Sequence, residues 1–227
     1  MSAAGTKRAV LVGATGLVGS QLLSQLLSQL LEDARFGAVV VLGRRPVGRS
    51  HAKLQEHVID FRAPATWEAR VVGDVLFSAL GTTLKAAGSQ AAQYEVDHTF
   101  QYRVAAAAAR NGVSTYVLVS SANASPGSRI FYSRMKGELE RDVATLGFTH
   151  VHLLRPGPLS GERKEQRRAE QWSLRLLGPL SPVLPAALRP IPAATVARAA
   201  LRAALEAPAA PGVHRHEAAD LFRLGAS

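Results

Sequence analysis

The chain has no cysteine, and this absence removes two classes of site. No disulfide can form, and no thiolate can bind a metal. The sequence also lacks an apolar run long enough to cross a bilayer, so we expect no membrane partner. Lys7 and Arg8 precede an apolar stretch, but Gly13, Gly16 and Gly19 interrupt that stretch, unlike a secretory signal. These absences together predict a cytoplasmic protein.

Acidic and aromatic residues are also scarce. Asp and Glu number 17 against 27 Lys and Arg, which leaves a net charge of +10, and aromatic residues make up 6%. The positive charge is mostly scattered arginine, without a basic tail or aromatic platforms on which bases could stack. We therefore expect no specific nucleic-acid partner, and a field that attracts small anionic molecules. With 227 residues and 47% hydrophobic content, the chain predicts a single domain over 1–227.

Short apolar segments alternate with helical patterns along the chain. The repeated leucine pairs at 20–32 give an apolar helix face, and further helices are predicted at about 94–110 and 132–146. This alternation predicts an α/β fold of the Rossmann type, a doubly wound parallel sheet. The region at about 158–192 is expected to form a small C-terminal helical cap on the substrate side, with a tail at 207–227. The strand-like segments are AVLVGATG, AVVVL, HVIDF, DVLFSAL, TYVLVSS and HVHLLRPG.

Three glycines follow the first strand in the spacing G-x-x-G-x-x-G, at Gly13, Gly16 and Gly19. A backbone without side chains lets a pyrophosphate approach, and the next helix offers free N–H groups and a positive dipole end. Between a strand and a helix, these glycines predict a dinucleotide site. The alternative is a tight turn with no ligand.

Arg44 and Arg45 follow the second strand, where NAD-binding folds carry an acid that binds the ribose 2′-hydroxyl. Paired guanidinium groups can instead bind a 2′-phosphate, which predicts NADP (NADPH) as the cofactor. The alternative is an ordinary basic loop. Asp60, after the third strand, is either a partner for the adenine amino group or a plain surface aspartate. The loop SALGTT (78–83) follows the fourth strand at the edge where ligands bind in such folds.

Tyr132 and Lys136 are four residues apart, which places both on one face of a helix. A nearby ammonium stabilises a tyrosinate, so this tyrosine could exchange a proton with a carbonyl or alcohol while the cofactor exchanges hydride. Ser120 and Ser121 end the fifth strand, and either hydroxyl could bind the substrate oxygen or simply cap the strand. The four residues form the predicted catalytic set.

The motifs GATGLVG, LGRR, SALGTT, LVSS, YSRMKGE and LLRPGPL together resemble the atypical short-chain dehydrogenase/reductase superfamily, and most of all its HIV Tat-interacting protein family of NADPH-binding oxidoreductases. The likeness covers Lys7 to about Thr195. It implies that Tyr132 moves the proton with Lys136 as its partner. We find no asparagine that matches the fourth catalytic member of better-known short-chain enzymes. The resemblance further places these residues at the cofactor: Thr15, Gly16 and Leu17 at the pyrophosphate, Arg44 and Arg45 at the 2′-phosphate, Leu80 and Gly81 along the passage to the nicotinamide, and 155–159, with Pro156 and Leu159, around the nicotinamide.

These features predict an NADPH-dependent reductase of a small carbonyl-type substrate, which could form a homodimer. A regulatory NADPH-binding protein with little turnover and a protein partner is one alternative, and a nucleotide-sugar epimerase-like enzyme is another. His150-x-His152 and His214-x-His216 have the spacing of paired metal ligands, but no third ligand is evident and we expect no metal.

Overall fold

The computed structural model describes residues 5–13, 20–160, 189–206, 208 and 210–226. Its strands are β1 (Lys7–Val12), β2 (Phe36–Gly43), β3 (Leu54–Val58), β4 (Val75–Ser78), β5 (Thr115–Val119), β6 (His150–Arg155), β7 (Leu159–Ser160), β8 (Ile191–Pro192) and β9 (Gly212–Glu217). Seven of them form one parallel sheet in the order β3-β2-β1-β4-β5-β6-β9, while β7 and β8 pair with each other. This is the doubly wound Rossmann-type sheet that the sequence predicts.

Helices cover both faces of the sheet. They are α1 (Ser20–Glu32), α2 (Leu84–Ala87), α3 (Gln90–Tyr94), α4 (Gln101–Arg110), α5 (Phe131–Val143), α6 (Ala193–Leu205) and α7 (Ala218–Leu224), with a π-helical turn at Glu95–Phe100 between α3 and α4. One core lies between the sheet and α1, α6 and α7, and the other between the sheet and α4 and α5. No helix in the described ranges is long and apolar enough to span a membrane.

The leucine pairs of α1 behave as their spacing predicts. All six leucines are buried in the first core: Leu22, Leu23, Leu26, Leu27, Leu30 and Leu31. Burying a leucine side chain contributes about 1.5–3 kcal/mol, so this face alone fixes α1 on the sheet.

The third strand lies three residues earlier than predicted. HVIDF predicts 57–61, but β3 is Leu54–Val58 and pairs only with β2. Phe61 is buried for a different reason, because it stacks on Phe100 and contacts Trp67 edge-on in the loop after the strand. Apolar residues buried under a loop therefore resemble a strand in the sequence.

The C-terminal region contributes a seventh strand that the sequence patterning missed. The sequence analysis treated 207–227 as a tail, but β9 pairs with β6 along its whole length and α7 packs on the first core. Two arginines of α6 bind backbone carbonyls at the C-terminal end of α7. Arg198 Nε donates to Gly225 O at 2.8 Å, and Arg202 Nη1 donates to Leu224 O at 3.0 Å. Most of the predicted helical cap, 161–188, lies outside the described residues.

Candidate functional site

The carboxyl ends of β1 and β4 meet at Gly13, where the strand order of the sheet reverses. Gly13 has φ +100°, and a Cβ atom built there would lie 2.7 Å from Leu80 N and 2.8 Å from Ala79 O. Only glycine therefore lets the β1 turn lie against the loop after β4. The rest of the predicted phosphate turn lies outside the described residues: Thr15, Gly16, Leu17 and Gly19.

Arg44 and Arg45 follow directly after Gly43, the last residue of β2, and both are exposed. They lie at the carboxyl edge of the sheet, one strand away from Gly13. Asp60 is also exposed, and its carboxylate accepts a hydrogen bond from the backbone N–H of Arg62 at 2.9 Å. This contact gives Asp60 a role in the turn after β3, and its contact with adenine stays a prediction.

Tyr132 and Lys136 lie on the same side of α5, as their spacing predicts. The Lys136 ammonium is 5.9 Å from the centre of the Tyr132 ring. Lys136 is only 3% exposed, whereas Tyr132 is 37% exposed. The pair therefore combines a buried cation with a phenol that molecules from outside can reach.

The buried partner of Lys136 is Asp97, which the sequence analysis did not select. Asp97 Oδ1 lies 3.6 Å from Lys136 Nζ, and the side chains are 2% and 4% exposed. Asp97 Oδ2 accepts a hydrogen bond from Thr82 N at 2.7 Å, in the predicted ligand loop. Burial raises the pKa of Asp97, while the Lys136 ammonium and the Thr82 N–H act in the opposite direction. Gly81 leaves room for the carboxylate, since a Cβ there would lie 3.1 Å from Oδ1.

A widened helical turn sets the position of Asp97. Asp97 lies in the π-helical turn Glu95–Phe100. The backbone carbonyl of Asp97 accepts a hydrogen bond from Gln101 Nε2 at 2.6 Å. Gln101 Oε1 in turn accepts from Ser78 Oγ at 2.7 Å, at the end of β4. A chain of hydrogen bonds thus runs from β4 to the turn that holds the Lys136 partner. Such turns occur frequently at functional sites.

Ser120 and Ser121 differ in their surroundings. The Ser121 hydroxyl contacts its neighbouring carbonyl, Ala122 O, at 3.2 Å. Ser120 is 5% exposed, and its hydroxyl has no hydrogen-bond partner within the part of the chain that the structure describes. A buried hydroxyl with free hydrogen-bonding capacity favours Ser120 as the residue that would bind a substrate oxygen. Asn123, in the same loop, has the uncommon φ of +62°.

Arg155 pairs with carboxylates on two neighbouring elements, and its place around the nicotinamide stays a prediction. Its guanidinium pairs with the buried Glu140 of α5 (Nε to Oε1, 3.0 Å) and with Glu217 of β9 (3.0 Å). These carboxylates raise the pKa of Arg155 above its usual value. Pro156 is buried and its carbonyl accepts from Ala122 N at 2.9 Å, so the loops after β5 and β6 are joined. Leu159 is half-buried in β7.

The two histidine pairs lie side by side on adjacent strands. His152 of β6 is opposite His214 of β9, and His152 Nδ1 lies 3.0 Å from His216 Nε2. The rings stack rather than converge, with centroids 5.1 Å apart for His152 and His214. Burial and the neighbouring imidazoles lower the pKa of His152 to about 3. No group of three or more His, Asp or Glu in the described ranges is arranged to hold a metal.

Comparison with known proteins identifies the family. A model of the HIM1 family matches residues 43–177, which is more than half of the chain. The chain is also 38% identical over 207 residues to the protein fmp52, mitochondrial, of Aspergillus fumigatus, covering 87% of this chain and 86% of that one. The chain belongs to the HIM1 family. A second member, FMP52 of Saccharomyces cerevisiae, is 39% identical over 70% of this HIM1 chain and 69% of its own length.

Solved structures confirm the fold of this HIM1-family chain. MoeE5 in complex with UDP-glucose and NAD matches with a TM-score of 0.65 and 17% identity, covering 94% of this chain and 75% of that one. A short chain dehydrogenase family protein from Francisella tularensis matches with a TM-score of 0.65 and 11% identity, covering 95% and 99%. The resemblance to the short-chain dehydrogenase/reductase superfamily is thus shown at the level of fold.

The predicted cytoplasmic location is wrong by this comparison. The HIM1-family relatives from Aspergillus fumigatus, Saccharomyces cerevisiae and Aspergillus terreus are all named mitochondrial. The prediction was based on missing features, namely cysteines and a secretory signal, and neither distinguishes the cytosol from an organelle. The finer resemblance to the HIV Tat-interacting protein family stays a prediction.

Sequence reasoning missed two buried carboxylates, Asp97 beside Lys136 and Glu140 one turn farther along α5. Glu140 could have been found, because Tyr132, Lys136 and Glu140 follow one another at four-residue spacing on one face of α5. Asp97 gave no such signal, since its contact with Lys136 depends on how two helices pack. The sequence analysis looked for an asparagine as the fourth catalytic residue and therefore did not consider Asp97.

Proposed function

We propose that this HIM1-family chain is an NADPH-dependent oxidoreductase that reduces a carbonyl or similar small electrophile. One observation carries the proposal: the Tyr132 phenol lies beside a buried ammonium, and the carboxylate partner of that ammonium binds the loop next to Gly13. The predicted proton-transfer groups and the loop beside Gly13 are thus joined at one edge of the sheet. Ligands of doubly wound folds bind at this edge.

The residues at this edge fit the cofactor. The turn that begins at Gly13 would bring the backbone close to a diphosphate. Arg44 and Arg45 are exposed after β2 and would bind the 2′-phosphate through charged hydrogen bonds. Leu80 and Gly81 follow β4 and would line the path toward Tyr132. When bound, NADPH supplies the hydride.

The chain's own residues supply the proton and hold the oxygen. Tyr132 would donate its phenolic proton to the carbonyl oxygen of the substrate as hydride reaches the carbonyl carbon, which yields the alcohol and a tyrosinate. Lys136 would stabilise that tyrosinate through its charge. Ser120 would donate a hydrogen bond to the same oxygen. Solvent then returns a proton to Tyr132.

Single-turnover oxidation of bound NADPH tests this chemistry against a panel of aldehydes, ketones and quinones. We expect at least one member to oxidise NADPH, and we expect Tyr132→Phe to slow that step by about 100-fold or more without weakening NADPH binding. Tyr102→Phe is the matched control, because it removes the same hydroxyl group from a tyrosine of α4 whose ring stacks on His98. A Tyr132→Phe variant with the wild-type rate would overturn the assignment of Tyr132.

A regulatory NADPH-binding protein is the second candidate, which the resemblance to the HIV Tat-interacting protein family suggests. One feature of the site favours it: the Lys136 ammonium lies 3.6 Å from a carboxylate oxygen of Asp97, so this cation already has an anionic partner. Tight NADPH binding without turnover of any panel member is the result that this candidate predicts.

A further inference from the structure

Lys136 and Asp97 form a buried ion pair, and among the described residues few other charged side chains lie near it. The next charged residue along this face of α5 is Glu140, and it is bonded to Arg155 of β6. The titratable side chains on the face of α5 that carries Lys136 are therefore Tyr132, Lys136 itself and Glu140. The π-helical turn contributes Asp97 and also His98, which pairs with Asp142 farther along α5, and β6 contributes Arg155. Asp97 is the partner that the structure gives to Lys136.

Two distances describe the surroundings of the Lys136 ammonium. Lys136 Nζ is 3.6 Å from Asp97 Oδ1 and 5.9 Å from the centre of the Tyr132 ring. Coulomb energy falls with distance, and it is larger in a buried, low-dielectric setting. The Asp97 carboxylate is therefore in direct ion-pair contact with the ammonium. Tyr132 lies on the same side of α5 as this ion pair.

We propose that Asp97 is a positioning residue that holds Lys136 in place and offsets part of the positive charge that Lys136 exerts on Tyr132. Among the contacts of the described residues, Asp97 is the only anion that pairs with Lys136. Thr82 N donates a hydrogen bond to the second carboxylate oxygen at 2.7 Å, which anchors Asp97 on the loop after β4. The catalytic meaning of this arrangement rests on the proposed oxidoreductase function, but the charge coupling itself does not.

Titration of the Tyr132 phenol, followed by tyrosinate absorbance in the protein without cofactor or substrate, tests the coupling. The Tyr132→Phe protein supplies the background of the other tyrosines, and the difference spectrum isolates Tyr132. In Asp97→Asn the amide oxygen can still accept from Thr82 N, but the negative charge is gone. We expect the phenol to ionise about one pH unit lower than in the wild-type protein, because the ammonium is then uncompensated.

Asp142→Asn is the matched control, since it makes the same chemical change on α5 at a carboxylate that pairs with His98 and Arg141. It should leave the Tyr132 titration unchanged. A second comparison places Asp97→Asn in the Lys136→Met background, where the shift should vanish because Asp97 acts through Lys136. An unchanged or higher ionisation pH in Asp97→Asn overturns the proposal, as does a shift that persists without Lys136.

A stability comparison decides the case if Asp97→Asn alone folds poorly. Each single variant leaves one buried charge without its partner, whereas Asp97→Asn/Lys136→Met leaves none. We expect the double variant to have a higher melting temperature than either single variant. A double variant no more stable than the singles would show that the two residues are not a coupled pair. None of these readouts needs NADPH binding or turnover, so they can fail or succeed independently of the proposed function.

Discussion

Two glycines in the site are required by close approach of backbone rather than by flexibility. Gly13 lies against the loop after β4, and Gly137 of α5 lies under the loop after β5. A Cβ at Gly137 would overlap the backbone of Ser125 and Pro126. Ser125 N also donates to Ser133 O at 3.0 Å, so this loop is held on the helix at the residue directly after Tyr132. The glycine of YSRMKGE therefore positions the loop over the predicted catalytic residues.

Replacing Gly137 with alanine should destabilise the protein. The methyl group would collide with backbone atoms that cannot rotate away, and overpacking of this kind costs about 1–3 kcal/mol. Urea unfolding of Gly137→Ala measures the loss in the free energy of unfolding. Gly127→Ala is the control in the same loop, because a Cβ there meets nothing within 4 Å. Equal stability of the two variants would contradict the close contact.

Sequence spacing finds residue pairs within one element but not pairs between elements. Tyr132 and Lys136 follow from helical periodicity, and the structure places them together. Asp97 could not be found in this way, because its position depends on the π-helical turn and on the packing of that turn against α5. The choice between Ser120 and Ser121 also required the structure, since burial and hydrogen bonding distinguish them.

At the scale of elements, the contact between β6 and β9 favours the neutral form of three histidines. Burial lowers the pKa of His152 to about 3 and also lowers the pKa values of His214 and His216. In the unfolded chain these groups bind protons near pH 6.5. Unfolding therefore takes up protons below that pH, and the stability that these histidines contribute is fully present only above it.

The free energy of unfolding should fall as the pH falls from about 7 to 5. Each histidine kept neutral contributes a slope of up to about 1.4 kcal/mol per pH unit. The carboxylates whose pKa values are lowered, Asp33, Glu95 and Asp142, act at lower pH. His152→Leu should flatten the slope in urea unfolding, whereas His51→Gln, an exposed loop histidine, should not. A slope that His152→Leu leaves unchanged would contradict this account of β6 and β9.

The elements that were predicted well carry strong periodic patterns. The leucine pairs of α1 and the buried strands β1, β2 and β5 have apolar residues that match their burial. The strand β9 was missed because GVHRHE is mostly polar, and an edge strand needs fewer apolar residues. Its place in the sheet is set by backbone pairing with β6, which no local pattern reports.

At the scale of the whole molecule, the sheet brings four sequence motifs to one edge. The turn at Gly13, the arginine pair, the loop after β4 and the start of α5 all follow the carboxyl ends of parallel strands. A net charge of +10 adds a field that attracts an anionic cofactor. The preference between the two nicotinamide cofactors then depends on Arg44 and Arg45, because they are the charged groups that follow β2.

Calorimetric titration of NADPH and NADH tests this central claim most directly. We expect the wild-type protein to bind NADPH at least about tenfold more tightly than NADH, since a charged hydrogen bond contributes about 1.5–3 kcal/mol. Arg44→Glu/Arg45→Glu should abolish that preference. Arg103→Glu/Arg110→Glu, with the same charge change on exposed residues of α4, should keep it. A wild-type protein that binds neither cofactor, or an unchanged preference in Arg44→Glu/Arg45→Glu, would contradict the account.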